Sequence, residues 1–216
     1  MSRTARIVRR AITTSVTALA WLGATACGGG GDAATDTVGA TGAAAAPATT
    51  PPADTAAAAG AAGGATLNDA QIAHVAVTAN AIDSAAGVMA REKGQSQAVK
   101  DFAQTMITDH TGVNERAVTL ARRLNVTPAD NDVSRQLKAG ADSAAGNLRG
   151  MTGAGFDRAY VDREVAYHQA VLDALDRTLI PGAQNSELKQ LLQDVRPAIA
   201  AHLERARGIQ GSLGRP

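Results

Sequence analysis

Residues 97–125, QAVKDFAQTMITDHTGVNERAVTLARRLN, carry the pattern that decides the fold. Apolar residues recur there every three or four positions, as they do in a helix that buries one side along its length. Thr127-Pro128 follows and closes the predicted helix. The buried side is predicted to comprise Val99, Ala103, Met106, His110, Val113, Ala117, Leu120 and Leu124. A histidine therefore occupies a position that the spacing reserves for the core.

Three further segments, residues 67–93, 155–180 and 185–213, repeat this periodicity, and the second of them is predicted to stop at Pro181-Gly182. Their predicted buried residues are Ile72, Val75, Ala79, Ile82, Ala86 and Met89, then Val161, Val165, His168, Leu172, Leu175 and Leu179, then Leu188, Leu192, Val195, Ile199, His202, Ala206, Ile209 and Leu213. We therefore predict an all-α domain over residues 67–216.

The stretch between the second and third long helices, residues 126–153, contains Gly140, Gly146 and Gly150. Each glycine weakens a helix by about 1 kcal/mol relative to alanine, so we interpret this stretch as a crossover with a short helix. Two short connections and one long crossover are typical of ferritin-like bundles. The predicted architecture is a ferritin-like four-helix bundle with its long crossover at this place.

The N-terminal residues have the three parts of a secretory signal. Four arginines precede a short apolar stretch, and the small residues Ala24-Thr25-Ala26 precede Cys27, the single cysteine of the chain. We predict a lipoprotein signal peptide over 1–26 and lipid on Cys27, which would anchor an exported protein to the cell envelope, with the outer membrane or periplasm favoured. Cleavage without lipid is the alternative. Residues 27–66 are predicted to be the lipidated cysteine and a disordered Ala/Gly/Thr/Pro linker.

Removal of the signal changes the charge of the chain. Its four arginines leave 17 basic residues of 21 against 20 acidic ones, a net charge near −3. This balance does not favour nucleic acid as a partner. The predicted partner is a membrane, bound through the lipid on Cys27, and the sequence names no protein partner.

Three of the four histidines lie on the predicted buried sides, near the middle of their helices. With a rise of 1.5 Å per residue, their heights would agree within about 5 Å. Three carboxylates lie close to them in the sequence, at Asp83, Asp109 and Glu164. Imidazoles with one or two carboxylates suit zinc, copper or iron. We therefore predict that His110, His168, His202, Glu164, Asp109 and Asp83 hold a single transition-metal ion.

Two alternatives remain open from the residues alone. Buried histidines are often neutral and hydrogen-bonded, so the three could form a polar network in a purely structural or protein-interaction bundle. A weaker alternative is a redox enzyme with one metal ion at the same histidines. No nucleophile stands beside a base, so no catalytic residue is assigned. The Glu-x-x-His pairs of ferritin di-iron sites are absent, and His74 is predicted to be solvated.

Residues 68–213 resemble the bacterial family called domain of unknown function 4142. The resemblance rests on residues 99–103, 106–114 and 155–161 together with His168 and His202-Leu203. It implies a ferritin-like helical bundle in an exported or envelope protein, and it implies no established reaction. The chain departs from the family at Tyr167, where an acidic residue is common, and at Asp83, where the first helix often carries glutamate.

Overall fold

The computed structural model describes residues 66–214, and the predicted signal peptide, Cys27 and almost all of the linker lie outside this range. The described residues form five α-helices and no strand, which confirms the all-α class. The helices are α1 (Asp69–Lys93), α2 (Gln97–Arg123), α3 (Asp132–Arg149), α4 (Gly153–Ala174) and α5 (Ser186–Leu213).

The five helices pack as two antiparallel hairpins and one added helix. Helix α1 packs mainly against α2, and α4 packs mainly against α5, while α3 lies against α1 and α4. Apolar side chains form two clusters, one around Ile72 and Leu179 and the other around Ala90 and Phe156. The start of α1 therefore lies beside the end of α4, and the end of α1 lies beside the start of α4. The middle of the helices, between the two clusters, is where the polar residues gather.

Each hairpin turn is held by a carboxylate from the other hairpin. The two Oδ atoms of buried Asp157, near the start of α4, accept hydrogen bonds from the backbone N–H groups of Gln95 (2.9 Å) and Ser96 (2.7 Å). Asp69, in the first turn of α1, accepts from Gln184 (2.8 Å) and Asn185 (2.9 Å) in the same way. These carboxylates satisfy N–H groups at the starts of α2 and α5, where a negative charge is favoured.

Helix α3 corrects the expectation of a short helix in the crossover, because it runs for 18 residues. Its N-terminus is closed by a capping box between Asn131 and Ser134. Gly150 lies beyond its last residue, where it costs the helix interior nothing. The buried side consists of Val133, Ser134, Leu137, Gly140, Ala144 and Leu148. Burial of this side against α1 and α4 outweighs the cost of the two interior glycines.

The buried side of α1 also differs from the prediction. Val75 and Ile72 are buried as expected, but further along the helix the buried residues are Asn80, Asp83, Gly87 and Ala90. The predicted residues Ile82, Ala86 and Met89 are half-buried and line a groove between α1 and α3. Helix α1 has neighbours on both sides, so the periodicity of its apolar residues marks the side that meets α3 and not the one that faces the centre.

The C-terminal end of α4 leads into a wider turn. Helix α4 is followed by a π-helical turn (Leu175–Leu179) and a last α-helical turn (Ile180–Gly182), so the helical segment ends at the predicted Pro181-Gly182. The wider turn makes room for Pro181, whose ring would meet the carbonyl of Arg177 in a regular helix.

By length and composition, α1 is the one helix within residues 66–214 apolar enough to span a membrane, a test that buried core helices also pass.

Gly87 marks the closest approach of α1 to α2. A Cβ atom at Gly87 would lie 2.9 Å from the carbonyl oxygen of Ala103, whereas a Cβ at Gly146 in α3 would meet nothing within 4 Å among the described residues. We expect Gly87→Ala to lower the free energy of unfolding by about 1–3 kcal/mol through overpacking. Gly146→Ala is expected to raise it by about 0.5–1 kcal/mol. Urea unfolding of both variants tests this pair, and equal stabilities would contradict it.

Candidate metal centre

Three imidazole rings meet in the middle of the helical domain. His110 lies on α2, His168 on α4 and His202 on α5, and all three are buried. Their ring centroids are 5.7 Å (His110–His168), 5.3 Å (His110–His202) and 5.4 Å (His168–His202) apart. One ring nitrogen of each lies within 4.8 Å of the others. The structure therefore brings together the three histidines that the sequence placed at one level.

The hydrogen bonds of Asn80 fix the orientation of His110. The Asn80 Nδ2 atom donates to the carbonyl oxygen of Ala76 (2.8 Å), so its Oδ1 atom is the one that faces His110 Nδ1 at 2.7 Å. Oδ1 only accepts, and His110 Nδ1 must therefore carry the proton. In the neutral ring the lone pair is then on Nε2, which lies 2.9 Å from Asp83 Oδ2. In the neutral form two electron pairs face each other there, whereas a protonated ring would donate Nε2–H to the carboxylate.

The other two rings are oriented by acceptors in the same way. His168 Nδ1 lies 3.0 Å from the carbonyl oxygen of Glu164, and His202 Nε2 lies 2.9 Å from Asp109 Oδ2. Each of these nitrogens donates, so the lone pairs of the neutral rings are on His168 Nε2 and His202 Nδ1. Neither atom has a hydrogen-bond partner in the part of the chain that the structure describes. His168 Nε2 lies 3.6 Å from Asp83 Oδ2.

Asp83 supplies the negative charge of the centre. Burial alone would raise the pKa of this fully buried carboxyl, but His168, His110 and Arg163 outweigh the effect and hold its pKa well below the ordinary value. The Arg163 guanidinium binds Asp83 Oδ1 (2.7 Å) and Glu164 Oε1. Burial raises the pKa of Glu164 well above its usual range, against the effect of Arg163. Asp83 is therefore the ionised member of this carboxylate pair.

Burial also keeps the rings of His168 and His202 neutral. It lowers the pKa of His168 to about 4, aided by His110 and His202 and opposed by Asp83. It lowers the pKa of His202 as well, against the effect of the hydrogen bond that this ring donates to Asp109. At neutral pH these two rings therefore present lone pairs, not protons, to the centre.

The carboxylates predicted from the sequence take different positions. Asp83 faces the rings of His110 and His168, and Asp109 contacts His202, with 45% of its own side chain exposed. Glu164 is buried beside Arg163, with Oε2 3.4 Å from His168 Nδ1. His74 lies apart from the centre and, in contrast to the prediction of a solvated residue, is half-buried, with Nδ1 3.9 Å from Asp130 Oδ1.

Sequence reasoning missed two residues of the centre, Asn80 and Arg163. Asn80 lies one turn before Asp83 on α1, and Arg163 directly precedes Glu164, so a polar residue next to a candidate carboxylate was the available signal. Tyr167 packs against the same region. Tyr167 donates to the carbonyl oxygen of Ala79 (2.9 Å), and its ring lies 4.4 Å from the Arg163 guanidinium.

The lowered pKa of His168 predicts a dependence of stability on pH. In metal-free protein the unfolded chain binds a proton at His168 below about pH 6.5, and the folded chain binds it only near pH 4. Stability is therefore lost as pH falls through this window. From pH 6.5 to 4, we expect the free energy of unfolding of wild type to fall by up to about 3 kcal/mol more than that of His168→Gln. Denaturant unfolding with chelator present tests this, and parallel pH profiles would contradict it.

Comparison with known proteins places the chain in a family without supplying a function. The family described as "Domain of unknown function (DUF4142)" matches residues 52–209, which is more than half of the chain. No curated protein and no solved structure is detectably similar to the chain. The match includes all three histidines and Asp83. The chain therefore belongs to the DUF4142 family.

Proposed function

We propose that this protein is an exported envelope lipoprotein whose ferritin-like helical bundle binds one transition-metal ion through His110, His168, His202 and Asp83. A single observation carries the metal site: one nitrogen from each of the three rings lies within 4.8 Å of the others in a buried space, and Asp83 Oδ2 lies 2.9 Å from His110 Nε2 and 3.6 Å from His168 Nε2. With neutral rings these atoms repel one another when nothing lies between them, and a cation between them makes the arrangement attractive.

The outer contacts of the rings support this assignment. Metal-ligating histidines usually donate their second N–H group to a carboxylate or carbonyl, which fixes the ring for the metal. Asn80, the Glu164 carbonyl and Asp109 accept from the three rings in this manner. Tetrahedral ligands at Zn–N distances of 2.0–2.1 Å are about 3.3 Å apart, so small ring rotations would bring atoms now within 4.8 Å to that spacing.

The donor set narrows the choice of ion. Three imidazoles and one carboxylate suit zinc, copper or iron and do not suit calcium or magnesium, which bind oxygen ligands. A ferritin di-iron site needs one carboxylate from each of two helices and two Glu-x-x-His pairs. The residues three positions before the histidines are Ile107, Val165 and Ile199, so these pairs are absent. A single ion is therefore the proposal.

The ferritin-like architecture and the envelope location are parts of the same proposal. Two antiparallel hairpins, α1/α2 and α4/α5, joined by a long connection that contains α3, support ferritin-like connectivity. The location rests on the signal-like residues 1–26 and on Cys27. A lipid-anchored bundle on a linker of about 39 residues would sample a distance of roughly 30–40 Å from the membrane.

Metal content is the direct test of the site. We expect the purified full chain, reconstituted in turn with zinc, copper(II) and iron(II), to hold near one equivalent of at least one metal by elemental analysis. Because His110 and His202 each supply one of the three nitrogens, His110→Gln and His202→Gln should lose it. His74→Gln is the matched control, because this histidine lies away from the centre, and it should bind like the wild type.

Circular dichroism of each variant separates loss of the ligand from loss of the fold. A wild type that holds no metal under all three conditions would leave the histidines as core hydrogen-bonding residues of a structural or protein-interaction bundle. A folded His110→Gln variant that binds as much metal as the wild type would also contradict the site.

Lipidation of Cys27 is tested separately. Cells that express the chain should incorporate labelled palmitate into the wild type and not into Cys27→Ser, because the thiol is the atom that the lipid modifies. Detection of the label after electrophoresis is the measurement, and the Cys27→Ser variant should also leave the membrane fraction. Equal labelling of both proteins, or of neither, would overturn the lipoprotein part of the proposal.

A further inference from the structure

A narrow internal slot runs from the histidine cluster to one end of the helical domain. It has a volume of about 60 Å³ and is lined by residues of α1, α2, α4 and α5. His110, His168 and Asn80 border one end, and Leu124 and Asn185 border the other. Ile199 and Leu188 both line it and are eleven residues apart on α5, so the residues that line the slot span roughly 16 Å along this helix.

The slot exists because small side chains face it. Ala73, Ala76, Ala79, Ala117 and Ala121 line it, and each side chain ends at Cβ. Between its two polar ends the wall consists of alanine, valine, leucine and isoleucine. Cavities with apolar walls do not hold water well, because a water molecule needs polar partners.

The wall chemistry limits what the slot admits. Transfer of an ion or a strongly polar molecule into such surroundings is costly, so the slot does not suit the metal ion itself. The exposed side of Asp109, whose carboxylate contacts His202, is a polar approach for the ion. The slot volume equals about two water volumes, which is room for a molecule of about two or three heavy atoms.

We infer that the slot admits a neutral, apolar molecule of about two or three heavy atoms, such as a diatomic gas, and holds it against the histidine cluster. This inference rests on the proposed metal site for its purpose, since a molecule in the slot would lie beside His110 and His168. The slot itself does not depend on the ion. Metal and small molecule would thus reach the centre by separate routes.

Xenon is the probe, because it is neutral and apolar and occupies apolar cavities. Metal-free full-length protein is labelled with carbon-13 at methyl groups and histidine rings, and its spectra are recorded under increasing xenon pressure. We expect saturable shifts of the methyl signals of Val113 and Ile199, which line the slot, and of the ring signals of His110 and His168. The methyl signals of Val99 and Val161, in the other apolar cluster, should not shift.

Two filling variants test the route. Ala117→Leu and Ala76→Leu each place a larger side chain in the slot, and each should abolish the xenon-induced shifts of the histidine ring signals. Two positions on different helices are used so that, where thermal unfolding shows that one variant does not fold, the other still tests the route. Ala85→Leu, on the exposed side of α1, is the matched control and should retain the wild-type shifts.

Every outcome bears on the slot. Absence of shifts in the lining methyl groups would overturn it, and shifts of the methyl groups without shifts of the rings would show that the slot does not reach the centre. Ring shifts that persist in both folded filling variants would overturn the route. If xenon binds as expected and no metal binds, the slot stands and the proposed metal site fails.

Discussion

The buried carboxylate of Asp83 is the constraint on which the rest of the structure depends. It is fully buried, so the loss of its hydration must be offset by groups from other helices. Arg163 of α4 contacts Oδ1, and His110 of α2 lies against Oδ2. A buried ion pair of this kind adds little to stability by itself, but removal of one partner leaves the other charged and unpaired. Helices α1, α2 and α4 are therefore held to one relative register.

Two more carboxylates apply the same principle at the ends of the helices. Asp157 reaches from α4 to the turn before α2, and Asp69 reaches from α1 to the turn before α5. Each binds two consecutive N–H groups, so each fixes direction as well as distance. Apolar clusters fill the space between these end contacts and the centre. Charged groups thus set the register at three levels, and apolar packing supplies most of the stabilisation between them.

The sequence predicted those parts of the fold and site that depend on a single helix. A histidine at a core position on each of α2, α4 and α5 followed from periodicity, because each of these helices has one dominant buried side. Helix α1 contacts α2 on one side and α3 and α4 on others, so its apolar residues did not reveal that Asn80 and Asp83 face the centre. Helix α3 exceeded its expected length since burial, which no propensity scale includes, stabilises it. Arg163 was missed because its partner lies eighty residues away.

The hydrogen-bond donors of the three rings support the proposed cation site over a structural network. Each neutral imidazole has one N–H group, and all three point outward, to Asn80, to the Glu164 carbonyl and to Asp109. A self-sufficient network would need an inward donor, and the neutral rings have none left. A proton on His168 or His202 would supply one, but burial lowers the pKa of both rings. Oriented acceptors around a space that disfavours protons match the requirements of a metal ion, which supplies the missing positive charge without a proton.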